Sequence, residues 1–110
     1  MLDESPFLSI TVNTSDHEVV MSIDGEMDMA TADTVRNALN AVNPADSDRV
    51  VVDLEHVTFI DSSGLLVLLQ GRDQLAHRHI RLLIRNPQPQ ARRLFDLALD
   101  GNQFEEAPSA

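Results

Sequence analysis

The sequence predicts a single α/β domain in which a mixed, mostly parallel central sheet of four to five strands carries helices packed on it. Three observations support this fold class. Apolar residues alternate at a period of two near the start of the chain, they recur at helical spacing in three later segments, and short aliphatic runs separate those segments. The resulting order is β-β-α-β-α-β-α, and such alternation implies right-handed crossovers between parallel strands.

The chain length fits one domain. We expect 110 residues to form a single domain over 1–110, with a core over about 7–104 and a frayed tail over 105–110. Cysteine is absent, so no disulfide framework or thiolate metal site is expected. No apolar run approaches the roughly 20 residues that a membrane helix needs, and the acidic start does not resemble a secretory signal. A cytoplasmic location follows as the expectation.

The first two strands are predicted from their residue pattern. Leu8, Ile10 and Val12 alternate with polar residues, as in a half-buried strand. A second strand covers 19–23, and Asp24-Gly25 is expected to end it as a turn. The short polar link between the two strands favours an antiparallel pair.

The first helix is predicted over Thr31 to Val42. Its apolar positions fall at i, i+3, i+4 and i+7, and Asp28 or Thr31 can cap its first amides. Asn43-Pro44 ends it. The run from Val50 to Leu54 that follows has almost no alternation, which is typical of a central strand covered on both faces.

The second half of the chain repeats the strand and helix alternation. A helix begins at the stretch Asp61-Ser62-Ser63-Gly64 and ends near His77-Arg78, and a strand covers 80–84. Pro89 fits the first turn of a last helix that carries Ala91, Leu94, Phe95 and Ala98 inward. Phe104 is expected to fold back as a short strand or lid.

The charge of the chain excludes one class of partner. Eighteen acidic residues oppose eight arginines, for a formal net charge of −10. Nucleic acid is bound by clustered cations, so we expect no nucleic-acid partner. The acids either attract a protein partner with a basic face or form a solvated surface.

The stretch Asp61-Ser62-Ser63-Gly64 lies where a strand ends and a helix begins. Unpaired backbone amides face outward there, and α/β proteins usually place functional groups at this edge. A purely structural reading is also open, because aspartate and serine are both preferred N-cap residues.

A second motif precedes this stretch by about 30 residues. Gly25, Glu26, Asp28, Thr31 and Ala32 form a glycine-acid-x-aspartate turn that ends in a threonine-alanine pair. The two motifs together, in this order on this pattern of elements, resemble those of the STAS domains, and within them the anti-sigma factor antagonists of bacteria. The resemblance covers nearly the whole chain, from Phe7 to about Phe104.

The resemblance implies a phosphorylation switch in which Ser62 is the acceptor. The kinase in that family is the anti-sigma factor itself, which binds ATP, and a serine phosphatase would reverse the modification. With Ser62 unmodified, the protein would hold the anti-sigma factor and free a sigma factor, and phosphorylation would abolish the binding. The residues expected to bind the partner are Glu26, Asp28, Thr31, Asp61, Ser62, Ser63, Gly64 and Leu66.

Some details stay open at this point. Many family members have a second glycine where this chain has Leu66, which is either a partner contact or packed under a neighbouring loop. Met27 and Met29 either cover the edge of the core or offer an adaptable contact surface.

Other functions are less well supported by the sequence. The glycine spacing of a hydrolase elbow is only half met, and no dinucleotide or phosphate-binding glycine loop is present, so we expect neither an enzyme nor a cofactor. His77 and His79 are too thin a ligand set for a metal site. An alternative keeps the fold and removes the kinase: a STAS interaction module of a stress-signalling or transporter-associated complex, in which Ser62 is not phosphorylated.

Overall fold

The computed structural model describes residues 2–5 and 7–109, with side chains described from residue 7 onward. In chain order the elements are β1 (Leu2–Ser5), β2 (Leu8–Ser15), β3 (Glu18–Met27), α1 (Ala32–Asn40), β4 (Arg49–Ile60), α2 (Ser62–His77), β5 (Arg81–Arg85), α3 (Pro89–Ala98) and β6 (Glu105–Glu106).

The strands form one mixed sheet. Their spatial order is the chain order, β1 to β6. The pairs β1–β2 and β2–β3 are antiparallel, and β3–β4, β4–β5 and β5–β6 are parallel. Each helix connects two parallel strands that are neighbours in the sheet, and each connection moves to the next strand on the same side. With right-handed crossovers, all three helices therefore lie on the same face of the sheet. The predicted fold class is confirmed.

The sheet has six strands, whereas four to five were predicted, and the difference lies in its edge strands. The residue pattern gave no indication of β1, whereas β6 is the short C-terminal strand foreseen as an option. The expectation of a frayed tail was wrong for Glu105 and Glu106, which pair with β5. Arg81 bonds to Glu105, and Arg92 bonds to Glu106 at 3.1 and 3.2 Å. The hydrogen bond from Arg81 lowers the pKa of Glu105, so this contact is present at neutral pH and lost in acid.

Strand β3 does not end at Asp24-Gly25 as predicted but continues to Met27. Gly25 has a φ of +127°, and a Cβ there would lie 2.2 Å from the Phe7 carbonyl oxygen. Only glycine meets both conditions. Irregularities in the register between β3 and β4 accompany this position. The strand thereby carries Met27 alongside Ile60, the last residue of β4.

Strand β4 is the central strand that its sequence predicted. It is longer than the aliphatic run, and Val50, Val51 and Val52 are all buried. The helices contribute one apolar face each to a single core; the buried residues of α1 are Ala32, Val35, Ala38 and Leu39, and those of α3 are Ala91 and Phe95. The inward placement of Ala98 was wrong, because it is exposed and Leu99 is buried instead.

Candidate functional site

Helix α2 begins one residue after β4 ends, and Asp61 lies between them. Asp61 has extended backbone angles, and its carboxylate Oδ1 accepts hydrogen bonds from the amides of Ser63 at 2.9 Å and Gly64 at 3.1 Å. Of the three residues that were candidates for the cap, Asp61 is therefore the one that caps the helix. Ser62 is the first helical residue, and its side chain is exposed.

The first turn of α2 packs directly against the end of β3. The amide of Asp61 donates to the carbonyl of Met27 at 3.1 Å. A Cβ on Gly64 would lie 2.5 Å from that same carbonyl oxygen and 3.0 Å from a side-chain carbon of Ile60. Glycine therefore permits a close approach that brings the segment after β3 beside Ser62.

The loop between β3 and α1 is held by two side chains of its own. The Thr31 hydroxyl donates to the Glu26 carbonyl at 2.7 Å and accepts from the Asp28 amide at 3.0 Å. Asp28 Oδ1 accepts from the amides of Ala30 and Thr31 at 3.0 and 3.2 Å. We expected one of these side chains to cap the first amides of α1, but neither does so. They fix the loop that precedes the helix.

The predicted partner-binding residues divide by exposure. Glu26, Ser62 and Leu66 are exposed, whereas Asp28, Asp61 and Ser63 are half-buried. Thr31 is 1% exposed and Gly64 is buried. The expectation that Thr31 and Gly64 touch a partner is therefore corrected: one fixes the loop and the other admits the close packing of α2.

Leu66 is 51% exposed, so it is not packed under a neighbouring loop. It lies four residues after Ser62 on α2, and residues at that spacing share a helix face.

The two methionines of this region differ in exposure, since Met27 is 1% exposed and Met29 is 81% exposed. Met27 belongs to the core, and Met29 is on the surface of the loop.

Sequence reasoning missed Phe59 as a surface residue of this region. Phe59 is 41% exposed and pairs in register with Glu26. It stands in an apolar stretch before Ile60, so the residue pattern alone indicates core. The register of β3 and β4 shifts between Gly25 and Glu26, next to the pair of Glu26 with Phe59. This shift can be seen only in the paired strands and not in the sequence.

Two further observations concern metal binding and membrane spanning. Within residues 2–5 and 7–109, no three histidine, cysteine, aspartate or glutamate side chains are grouped so as to hold a metal ion. None of the helices in this described part is long and apolar enough to span a membrane.

The fold, with its two paired segments at the ends of β3 and β4, defines a small domain of the α/β class. A family model described as the STAS domain matches residues 9–99, and the chain belongs to that family. It is 40% identical over 69 residues to the anti-sigma-F factor antagonist RsfB of Mycobacterium tuberculosis, which covers 61% of this chain and 57% of RsfB. The chain thus spans little more than half the length of that relative.

Solved structures share the fold. An anti-sigma factor antagonist from Mycobacterium paratuberculosis superposes with a TM-score of 0.81 and 28% identity, over 96% of this chain and 91% of that one. The unphosphorylated form of the anti-sigma factor antagonist SpoIIAA superposes with a TM-score of 0.72 and 22% identity, over 91% and 89% of the two chains. At that identity, the likeness to SpoIIAA shows the fold alone.

The cap assignment predicts opposite outcomes for two neighbouring residues. Asp61→Ala removes the acceptor of two amides and should lower the free energy of unfolding by about 0.5–2 kcal/mol. Ser62→Ala removes no cap and should change it by less than about 0.5 kcal/mol. Urea unfolding of both variants measures the difference. An equal loss in the two variants would contradict the assignment of the cap to Asp61.

The close packing at Gly64 predicts a second contrast within α2. Gly64→Ala places a methyl group against the Met27 backbone and should cost about 1–3 kcal/mol of unfolding free energy. Gly71→Ala is the matched control, because a Cβ there would meet the end of the Leu39 side chain, which can turn aside, and no backbone atom. Thermal melts of the two variants should show Gly64→Ala to be clearly the less stable. The reverse order would refute the close approach of α2 to β3.

Proposed function

We propose that this chain is an anti-sigma factor antagonist controlled by phosphorylation of Ser62. The unphosphorylated form binds an anti-sigma factor that is also an ATP-bound serine kinase, and thereby frees a sigma factor in the cytoplasm. Phosphorylation of Ser62 abolishes this binding, and a serine phosphatase reverses it. The observation that carries the proposal is the exposed hydroxyl of Ser62 at the start of α2, beside the loop that follows β3.

The proposed docking surface combines acidic and apolar side chains around Ser62. Its members are Glu26, Asp28, Met29, Asp61, Ser62, Ser63 and Leu66. Met29 and Leu66 supply exposed apolar area that a partner can bury. The three carboxylates favour a partner with a basic face and steer its approach.

The cap explains why a phosphate on Ser62 should act on the partner. A helix N-terminus ordinarily binds an anion favourably, because its first amides have no partner within the helix. Here the amides of Ser63 and Gly64 already donate to Asp61. A phosphate would add roughly 1.5 to 2 negative charges beside that carboxylate, without those two amides to neutralise it. The charge is therefore presented to whatever covers the surface.

The energy required for switching is modest. A 100- to 1,000-fold loss of affinity corresponds to about 2.7–4 kcal/mol. One charge that is desolvated at an interface without a good partner costs that much. The frame around Ser62 is fixed by backbone contacts at Met27 and Gly64, so the modification need not move it. The switch we propose is electrostatic and local.

Phosphorylation itself is the first test. The purified protein is incubated with ATP and a candidate anti-sigma factor kinase, and intact mass and peptide mapping are measured. One phosphoryl group on Ser62 is expected, with Ser62→Ala unlabelled and Ser63→Ala still labelled. Labelling at Ser63, or no labelling by any kinase encoded nearby, would reject the proposal in favour of a STAS interaction module without serine phosphorylation.

Two substitutions at Ser62 separate binding from folding. Ser62→Ala should bind the anti-sigma factor in the presence of ATP and stay bound. Ser62→Asp should bind at least about tenfold more weakly while melting near the parent temperature, because a single added charge acts mainly on the interface. Calorimetric titration and thermal melts give both quantities. An aspartate variant that unfolds would contradict the local mechanism.

Leu66 tests whether the face of α2 that carries Ser62 is covered by the partner. Leu66→Ala should weaken binding by about tenfold or more if Leu66 is buried in the complex. Leu97→Ala is the matched control, since Leu97 is 85% exposed on α3, outside the proposed surface. Equal affinities of the two variants would place the partner elsewhere.

A further inference from the structure

Strand β4 loses its neighbour on one side before it ends. Its pairing with β5 stops at Asp53, whereas its pairing with β3 continues as far as Ile60. Among the described residues, 54–60 of β4 therefore have a strand on one side only. Helix α3 packs along the other side.

Two glutamines at the start of α3 bond to this open edge of β4. Gln88, the residue before the helix, donates from its Nε2 to the Glu55 carbonyl. Gln90, the second residue of α3, bonds to both backbone groups of Ile60. Its Oε1 accepts from the Ile60 amide at 3.0 Å, and its Nε2 donates to the Ile60 carbonyl at 2.8 Å. A carboxamide presents a donor and an acceptor as a peptide group does, so Gln90 takes the place of a paired strand at this residue.

Ile60 is the residue that precedes the cap of α2. Its backbone lies between Met27 of β3 and the side chain of Gln90. Asp61 and Ser62 follow directly. Ile60 is 0% exposed, so without Gln90 its amide and carbonyl would lose their partners on the α3 side in a place that water does not reach. The stretch that leads to Ser62 would then be fixed from the β3 side only.

Other contacts of this segment do not depend on Gln90. The Asp61 amide donates to the Met27 carbonyl, and Gly64 packs closely against the same carbonyl. These contacts keep α2 against β3. Loss of Gln90 should therefore loosen the segment around Ile60 without unfolding the chain.

We propose that Gln90 is a positioning residue for Ser62: by fixing the backbone of Ile60, it holds the Ser62 hydroxyl in the orientation that accepts a phosphoryl group. The inference rests on the function proposed above. In that reaction the Ser62 oxygen attacks the γ-phosphorus of ATP, the bond to the bridging oxygen of ADP breaks, and the hydroxyl proton passes to a base of the kinase. Such an in-line transfer depends on the placement of the attacking oxygen. Gln90 acts through Ile60 and not on the reacting atoms.

Hydrogen exchange of the full chain tests the positioning without a kinase. Gln90→Met keeps most of the side-chain volume and removes both bonds. It should speed exchange of the Ile60 amide by about fivefold to tenfold, because that amide loses its acceptor. Gln88→Met is the matched control, since it removes a bond to Glu55 and none to Ile60. Exchange of Ile60 is followed by nuclear magnetic resonance, and equal rates in Gln90→Met and the parent would overturn the inference whatever the kinase does.

A second variant guards against a loss of folding. Gln90→Asn keeps the carboxamide and shortens its reach by one methylene, so it should also release the Ile60 amide. Thermal melts of both variants are recorded, and the one that melts closer to the parent is used for kinetics.

Steady-state phosphorylation then tests the role of Gln90 in the reaction. With a kinase that labels Ser62 of the parent, the Gln90 variant should lower kcat by about tenfold and leave the KM for the chain within about twofold, because the docking surface is unchanged while the hydroxyl is misplaced. Gln88→Met should react like the parent. A labelled parent with an unchanged kcat in the Gln90 variant would refute this inference alone. A parent that no kinase labels would refute the proposed function, and this inference with it.

Discussion

The close contact between the first turn of α2 and the backbone of Met27 is the constraint on which the site depends. Parallel strands β3 and β4 end side by side, with Met27 opposite Ile60. Met27 offers its carbonyl to the Asp61 amide, and Gly64 has no side chain to prevent the approach. Two segments separated by about 30 residues are thereby joined through main-chain atoms. Because this contact is made by main-chain atoms, it does not require particular side chains on the outer surface.

The acidic side chains of the site have a second task besides charge. Asp28 and Asp61 each place Oδ1 on two backbone amides, one pair in the loop and one in the helix. Thr31 adds its buried hydroxyl to the loop. A surface that is already ordered loses little conformational entropy when a partner covers it. Several residues that the sequence analysis predicted to bind a partner therefore also hold the backbone of this surface in place.

The sequence predicted the elements where burial leaves a periodic pattern and failed where tertiary contacts decide. The run Val50 to Leu54 has no alternation, and β4 is indeed central. Strand β1 has the sequence Leu-Asp-Glu-Ser, which contains no alternation to detect. Strand β6 consists of two glutamates that pair with β5 and contact Arg81 and Arg92, far away in the chain. Neither edge strand could be derived from local propensity.

Within the candidate site, the same distinction holds. Asp61, Ser62 and Ser63 have similar preferences for the cap, and only the last paired residue of β4 decides which one takes it. Exposure of Leu66 and burial of Thr31 are likewise settled by packing, because neither residue type dictates its own environment. The motif indicated where β4 ends and α2 begins, whereas the division between exposed and buried residues of the two motifs needed coordinates.

In the switch that we propose, a frame that does not move would separate the contributions that set the affinity for the partner from the contribution of the phosphate. In the proposed complex, apolar area at Met29 would contribute whether or not Ser62 is modified, because Met29 lies in the loop before α1, whereas Leu66 lies one helical turn from Ser62 and is expected to couple to it. The phosphate contributes through charge and desolvation at one point. If the frame does not move, the two contributions are nearly additive for well-separated side chains. Substitution of an outer apolar residue can then retune the affinity for a partner while the ratio between the unmodified and phosphorylated forms is preserved.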